Sequence, residues 1–184
     1  MKNVIVIASL FALAVPTAFA ASPTGQGPKV ATPSASTLCK QQRRTIGMSA
    51  FRALYAPAGS PKAAMSACLG KQQQLTTTAA KNAAKECKAE QADASFSTSH
   101  EGKTFAQFYG KNENDKNAYG KCVSMKAKEK VTAQQQATLN AAKKCKAEKK
   151  DQGAEAFAST YGTNKGKRNA FGKCVSKYVR EQSG

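Results

Sequence analysis

Six cysteines, one histidine and eleven carboxylates are the chain's candidates for redox, metal or acid–base chemistry. No two cysteines lie closer than 19 residues apart, so the tight C-x2-C pairs of structural zinc sites are missing and a metal site is not expected. An even cysteine count in an exported chain suits disulfides instead, and paired cysteines leave no thiolate nucleophile. His100 stands alone in the polar run "STSHEGK" and reads as a solvated loop residue rather than a general base. Glu86 and Glu90 are four apart among Lys81, Lys85 and Lys88. That spacing reads as exposed pairs along one helix, not as the two cleft-facing acids a glycosidase needs. No glycine-rich phosphate loop or nucleophile elbow occurs. The expectation is no catalytic residue, no cofactor and no metal.

Charge is the feature that could report function. Lys and Arg number 29 against 11 Asp and Glu, a net charge of +18. Lys40, Arg43, Arg44 and Arg52 fall between Cys39 and Cys68 with no acid among them. Further on stand "KKCKAEKK" and "KGKR". The candidate anion-binding residues are the adjacent Arg43 and Arg44, and Lys165, Lys167 and Arg168, which crowd one polar loop. The partner expected of them is a polyanion, first an anionic cell-envelope polymer. No nucleic-acid-binding motif is present, so sequence-specific recognition of nucleic acid is not expected.

The elements that must carry these residues show themselves by repetition. "NAYGKCVS" at 117–124 returns as "NAFGKCVS" at 169–176, and "NAAKECKAE" at 82–90 returns as "NAAKKCKAE" at 140–148. Phe and Tyr stand four apart three times, at Phe51/Tyr55, Phe105/Tyr109 and Phe157/Tyr161, and a Cys follows each Tyr by thirteen residues. The first Cys precedes the Phe by twelve residues in the first and third units and by eighteen in the second, so six residues are inserted within "QADASFSTSHEGK". Three units follow, at 37–75, 79–130 and 137–184.

Ala, Lys and Gln dominate and Trp is absent, which favours helix over sheet. Phe and Tyr at i and i+4 share a helix face. Met65, Tyr119 and Phe171 precede the second Cys by three residues, and Leu69, Val123 and Val175 follow it by one. These positions predict a miniature core around one disulfide. Gly110 and Gly162 directly follow the Tyr, where a left-handed helix cap is expected. No Pro interrupts 62–95 or 116–151, so long helices should join the units, with possible breaks at "QQQLTTT" and "KEKVTAQQQ". If each unit carries its own staple, the pairs are Cys39–Cys68, Cys87–Cys122 and Cys145–Cys174. Joining Cys68 to Cys87 would bridge about 28 Å along one helix, far beyond disulfide reach. The fold class expected is all-α: three tandem disulfide-stapled helical repeats joined by long helices, each unit folding without one large common core.

Residues 1–20 read as a secretory signal peptide. Lys2 precedes the apolar run Val4 to Val15, and "AFA" sets a cleavage site between Ala20 and Ala21. Residues 21–36, "ASPTGQGPKVATPSAS", read as a disordered spacer. The expected location is secreted or on the exterior of the cell envelope, with no transmembrane segment after cleavage. The pattern "NAAKKCKAE … FASTYGTNKGKRNAFGKCVS" resembles a repeat of uncharacterised secreted bacterial proteins. The resemblance implies export and the repeat and carries no activity with it. The functional expectation is an exported, non-enzymatic binder of anionic surfaces. The alternatives are a structural spacer whose charge only keeps it soluble and, behind both, an exported enzyme.

Overall fold

The computed structural model describes residues 33–110 and 114–182. The expected signal peptide, and the spacer up to residue 32, lie outside the described residues. Every regular element among the described residues is helical: α1 (Ala35–Ile46), α2 (Met48–Tyr55), α3 (Pro61–Ala92), α4 (Phe96–Ser99), α5 (Phe105–Tyr109), α6 (Ala118–Gln152), α7 (Ala154–Tyr161) and α8 (Ala170–Glu181). Ala35 and Ser36, read from sequence as spacer, form the first turn of α1. Ser34 caps that turn by accepting from the Thr37 amide at 3.2 Å.

The axis of the molecule is a pair of long helices. α3 has 32 residues and α6 has 35, about 48 and 52 Å at 1.5 Å per residue. Neither breaks in its polar middle. Ser60 caps α3 and Pro61 opens it, where a missing amide proton costs nothing. Thr76 and Thr138 return their hydroxyls to carbonyls one turn back. The middles are also held from outside, because Gln72, Ala79, Val131 and Gln135 are all buried.

Cys87 is bonded to Cys122, and two ion pairs beside that bond give the direction of the pair: Glu90 meets Lys126 at 2.8 Å and Glu86 meets Lys130 at 2.8 Å. Between the two ion pairs the partner advances along α6 as the acid recedes along α3, and the Cys68 end of α3 shares a core with the Cys145 end of α6, so the two helices run antiparallel. The chain goes out along α3, turns through α4 and α5, and comes back along α6.

That hairpin changes what the segments touch. Residues 37–75 and 137–182 are brought to the same end and share one core. It holds Ile46, Phe51, Ala64, Leu139, Phe157, Phe171 and Val175, with the Cys39–Cys68 and Cys145–Cys174 disulfides inside it. The second core, at the far end, gathers Ala79, Ala83, Phe96, Phe105, Tyr109, Val123, Ala127 and Val131 around Cys87–Cys122, and α1 contributes Leu38 to it. The expectation of segments that each fold without a large common core is therefore overturned for the first and third. A segment of this size buries too little apolar surface alone, and stacking two ends of a hairpin supplies the missing contact.

The glycines act differently from the reading of the sequence. Gly110 and Gly162 are extended, at φ −67° and −76°, not left-handed. They are needed for space. A Cβ on Gly162 would lie 2.5 Å from the Ala158 carbonyl oxygen and 2.9 Å from the Lys167 Cα, and one on Gly110 would strike Asp115. The positive φ belongs to Gly47 and Gly153, both at +82° with ψ near 160°. Each stands eight residues after the first Cys of its segment and turns one helix sharply into the next. In the middle segment the six-residue insertion occupies that place and forms α4 and its flanking turns, with Gly102 at φ +77°.

Two measurements check this arrangement. Gly162→Ala should lower stability by about 1–3 kcal/mol through overpacking. Gly120→Ala, at a helical site with nothing within 4 Å, should raise it by up to about 1 kcal/mol. Denaturant titration reads both, and equal effects would contradict the packing at Gly162.

A second test addresses the shared core. Replacing Cys145 and Cys174 by Ser opens a loop of sequence separation 29, worth about 3–4 kcal/mol on the loop-entropy model. Amide exchange should then quicken in α2 as well as in α7 and α8, while the end around Cys87–Cys122 keeps its protection. Quickening confined to α7 and α8 would contradict the shared core.

Candidate functional site

The best-built polar feature recurs three times, at the residue three positions after the first Cys: Gln42, Glu90 and Glu148. Each accepts a hydrogen bond from the Tyr of its Phe-x-x-x-Tyr pair. Tyr109 donates to Glu90 at 2.8 Å, Tyr161 donates to Glu148 at 2.7 Å, and Tyr55 donates to Gln42. The Phe rings lie 4.9 Å from the Tyr rings in all three places, at interplanar angles of 52°, 52° and 49°. The fixed offset from the Cys is the sequence signal for this bond, and the reading from apolar positions alone passed over it.

Burial explains why the acceptor is an amide once and a carboxylate twice. Gln42 has no exposure at all. A carboxylate there would lose its hydration without a cation to replace it. The amide both accepts from Tyr55 and donates to Gln135 Oε1 at 2.7 Å, and Gln135 donates onward to the Leu38 carbonyl at 3.3 Å. This chain of bonds ties α1 across to α6. Burial pushes the Tyr55 hydroxyl pKa up, and the neighbouring Gln72 and Gln42 amides offset that only in part.

Glu90 and Glu148 are half-buried and have cations beside them. Partial burial alone would raise the Glu90 carboxyl. The hydrogen bonds from Lys126 and Tyr109, and the Lys126 charge, outweigh burial and hold it below its ordinary value. Glu148 behaves alike: burial raises it, and the bonds from Tyr178 and Tyr161, with Lys144 and Lys177 nearby, lower it further. Lys144 lies 3.7 Å above the Tyr178 ring, so the same ammonium also makes a cation–π contact. Each carboxylate is held on both oxygens, Glu90 by Tyr109 and Lys126 and Glu148 by Tyr161 and Tyr178, so both act as joints between helices.

The other sequence candidates can now be placed. Glu86 and Glu90 do not pair along their own helix with Lys81, Lys85 or Lys88; they pair across to Lys130 and Lys126, because the antiparallel α6 brings those ammonium groups closer. His100 is half-buried rather than solvated. Its ring stacks on Phe96 at 3.8 Å with planes 5° apart. Its Nδ1 lies 2.8 Å from the Phe96 carbonyl oxygen and 3.0 Å from Ser99 Oγ. All six cysteines are in disulfides.

Arg43 and Arg44 occupy the last turn of α1, Arg44 exposed and Arg43 half-buried. Lys165, Lys167 and Arg168 are exposed on the loop between α7 and α8. Lys167 sits at φ +50° and donates to Ser159 Oγ at 3.0 Å. Asn169, the first residue of the repeated octamer, is the organiser of that loop. Its Oδ1 accepts from the Thr163 and Asn164 amides at 3.1 and 3.4 Å, and its Nδ2 donates to Thr163 Oγ1 at 2.7 Å. The sequence placed it only near a helix start; it holds the loop before that helix and makes no side-chain cap to the helix itself. No hydrogen bond or ion pair among the described residues links the two groups of cations.

The fold and these joints define an all-α protein with three intrachain disulfides, the kind of cross-linking an oxidising, extracellular environment maintains. No helix among the described residues is long and apolar enough to cross a membrane. Comparison with protein-family models, with curated proteins and with solved structures finds no match for the chain.

The joints carry a sign-determined pH dependence. Glu90 and Glu148 are held below their ordinary 4.5 in the folded state. Their stabilising contribution is therefore complete above about pH 4.5 and is lost as pH falls through the folded values. Denaturation midpoints should drop across that acid window. Glu90→Gln with Glu148→Gln should flatten the drop, and an undiminished drop in the double variant would assign the acid sensitivity elsewhere.

Proposed function

We propose that this is an exported, non-enzymatic protein built of three tandem stapled units, and that it binds anionic polymers of the cell envelope. The observation that carries the reading is uncompensated exposed positive charge. Among the described residues four ion pairs occupy Lys103, Lys126, Lys130 and Lys177, a small part of the 29 basic residues in the chain. Two of those pairs belong to the middle segment's own joints. The first segment has no acid between Cys39 and Cys68 to oppose Lys40, Arg43, Arg44 and Arg52.

The unit arrangement is supported by the threefold Tyr-to-acceptor bond and the threefold Phe/Tyr ring geometry. Each disulfide also closes within its own segment. The binding mode that follows is electrostatic and tolerant of polymer sequence, because exposed ammonium and guanidinium groups are screened within about 8–10 Å at physiological salt. The helical joints contribute rigidity, so the cations are presented on fixed surfaces and less ordering entropy is lost on binding.

The test is retention on an anionic resin across a salt gradient, with the fold followed by helical circular dichroism. The wild type should be retained at low salt and elute as salt rises. Reversing Arg43, Arg44, Lys165, Lys167 and Arg168 to Glu should move elution to markedly lower salt with the dichroism unchanged. A wild type that passes straight through at low salt would overturn the reading and leave the charge as a device for solubility.

A further inference from the structure

We infer that a phosphate-binding cleft lies where the first and third segments meet, at Lys71, Lys173 and Arg180, none of which is among the residues singled out from the sequence. The inference rests on the polyanion reading and names where a polyanion would seat and which group it would present. A cavity of about 360 Å³ opens between α2, the α2–α3 turn and α8. Lys71 reaches it from α3, and Lys173 and Arg180, seven residues apart, reach it from one face of α8. No acidic residue lines it. The acid next in sequence, Glu181, is engaged by Lys177 at 3.9 Å.

The floor of the cleft is backbone. Gly172 packs against the last turn of α2, where a Cβ on it would stand 3.5 Å from the Leu54 carbonyl oxygen and 3.9 Å from that of Ala53. Those carbonyls bring about half a negative charge, and the start of α8 brings about half a positive one. The two dipole ends oppose each other, so the three full side-chain charges decide the sign of the site. Three cations drawn from two directions suit a tetrahedral phosphate, whose oxygens point several ways, better than a planar carboxylate, which one guanidinium can satisfy alone. The cleft exists only because the α3–α6 hairpin sets the ends of the chain side by side, so it is a composite site that neither segment could form alone.

The experiment titrates the full protein with inorganic polyphosphate and, in a parallel arm, with polyglutamate of matched charge, at several salt concentrations. Lys71→Gln, Lys173→Gln and Arg180→Gln together should weaken polyphosphate binding at least tenfold and lower the magnitude of the salt slope by about one per cation. Gly172→Leu keeps every charge and fills the cleft; it should weaken polyphosphate binding while leaving polyglutamate binding unchanged. Circular dichroism confirms that both variants fold, and should Gly172→Leu fail to fold, the triple Gln variant decides. Polyphosphate binding unchanged in the triple variant, with the α1 and α7–α8 loop reversals abolishing it, would overturn the cleft and keep the polyanion reading. No binding of either polymer by the wild type at low salt would overturn both. Equal loss for the two polymers in the triple variant would overturn the phosphate assignment.

Discussion

The register between α3 and α6 is the constraint on which the other features rest. It is fixed at one end by a covalent bond, Cys87–Cys122, and within two turns of that bond by two ion pairs, Glu90–Lys126 and Glu86–Lys130. Antiparallel helices about 50 Å long offer many near-equivalent slides of a helical turn, particularly where the facing residues are alanines and glutamines. A staple removes those alternatives at one end. The Gln42–Gln135 bond, joining residues 93 apart in sequence, ties α6 to α1, which Cys39–Cys68 in turn staples to α3, and so restrains the slide in the middle. With the slide fixed, Leu139 and Cys145 of α6 arrive beside Ala64 and Cys68 of α3, and the shared core of the first and third segments can close.

Polar joints reinforce the two apolar cores here. The chain has no Trp and its buried apolar side chains are often alanine, so transfer free energy per helix pair is small. What holds the angles is a phenol donating to a fixed acceptor at each Phe/Tyr pair, in the lee of a disulfide. Cys68 Sγ lies 3.7 Å from Gln42 Oε1, and Cys122 Sγ lies 3.9 Å from Glu90 Oε2. Each joint therefore combines a covalent tether, an aromatic pair and one directed hydrogen bond within a few ångströms. The arrangement is under-satisfied at one atom: Gln72 Oε1 is buried without a hydrogen-bond partner. That orphan sits on α3 beside Tyr55, where three glutamines and a phenol compete for one another's dipoles. An amide carbonyl left alone there costs about 1–3 kcal/mol.

How much of this could be read from the sequence varies with the range of the interaction. The helices were legible because their cues are local: the dominance of Ala, Lys and Gln, Phe and Tyr at four-residue spacing, and no Pro across 62–95 or 116–151; the Ser34 cap was not, because it sits at the end of a stretch whose composition reads as spacer. The Tyr acceptor was legible in principle, since Gln42, Glu90 and Glu148 share one offset from a Cys, but a search for apolar periodicity ignores polar positions. Gly47 and Gly153 were likewise marked by a common offset, whereas Gly162 is required by a neighbour, Lys167, that only the folded loop brings near. The hairpin was not legible. Nothing in α3 or α6 alone says that Glu86 prefers Lys130 over lysines on its own helix, or that the end of one segment meets the start of another. The cleft of Lys71, Lys173 and Arg180 depends on that hairpin, and so it was as hidden as the hairpin itself.

The hairpin also determines where charge accumulates. A linear array would have spread the basic first and third segments along its length, with the more evenly charged middle segment between them. Folding back puts Lys71 beside Lys173 and Arg180, and Lys146 and Lys149 beside the Met48 end of α2. Like charges within a Debye length repel, and at moderate salt each exposed pair costs a fraction of a kcal/mol. The middle segment relieves this locally by spending Glu86 and Glu90 on α6 lysines. Among the described residues the joined end has such relief only at Glu148, which faces Lys144 and Lys177, and at Glu181. It also carries two of the three disulfides and the larger shared core. Covalent closure acts on the unfolded chain and apolar burial is not weakened by charge screening, so neither is lost as salt changes the electrostatics. Stapling the basic end thus lets it stay folded while much of its charge is exposed, which is the condition the proposed binding of a polyanion requires.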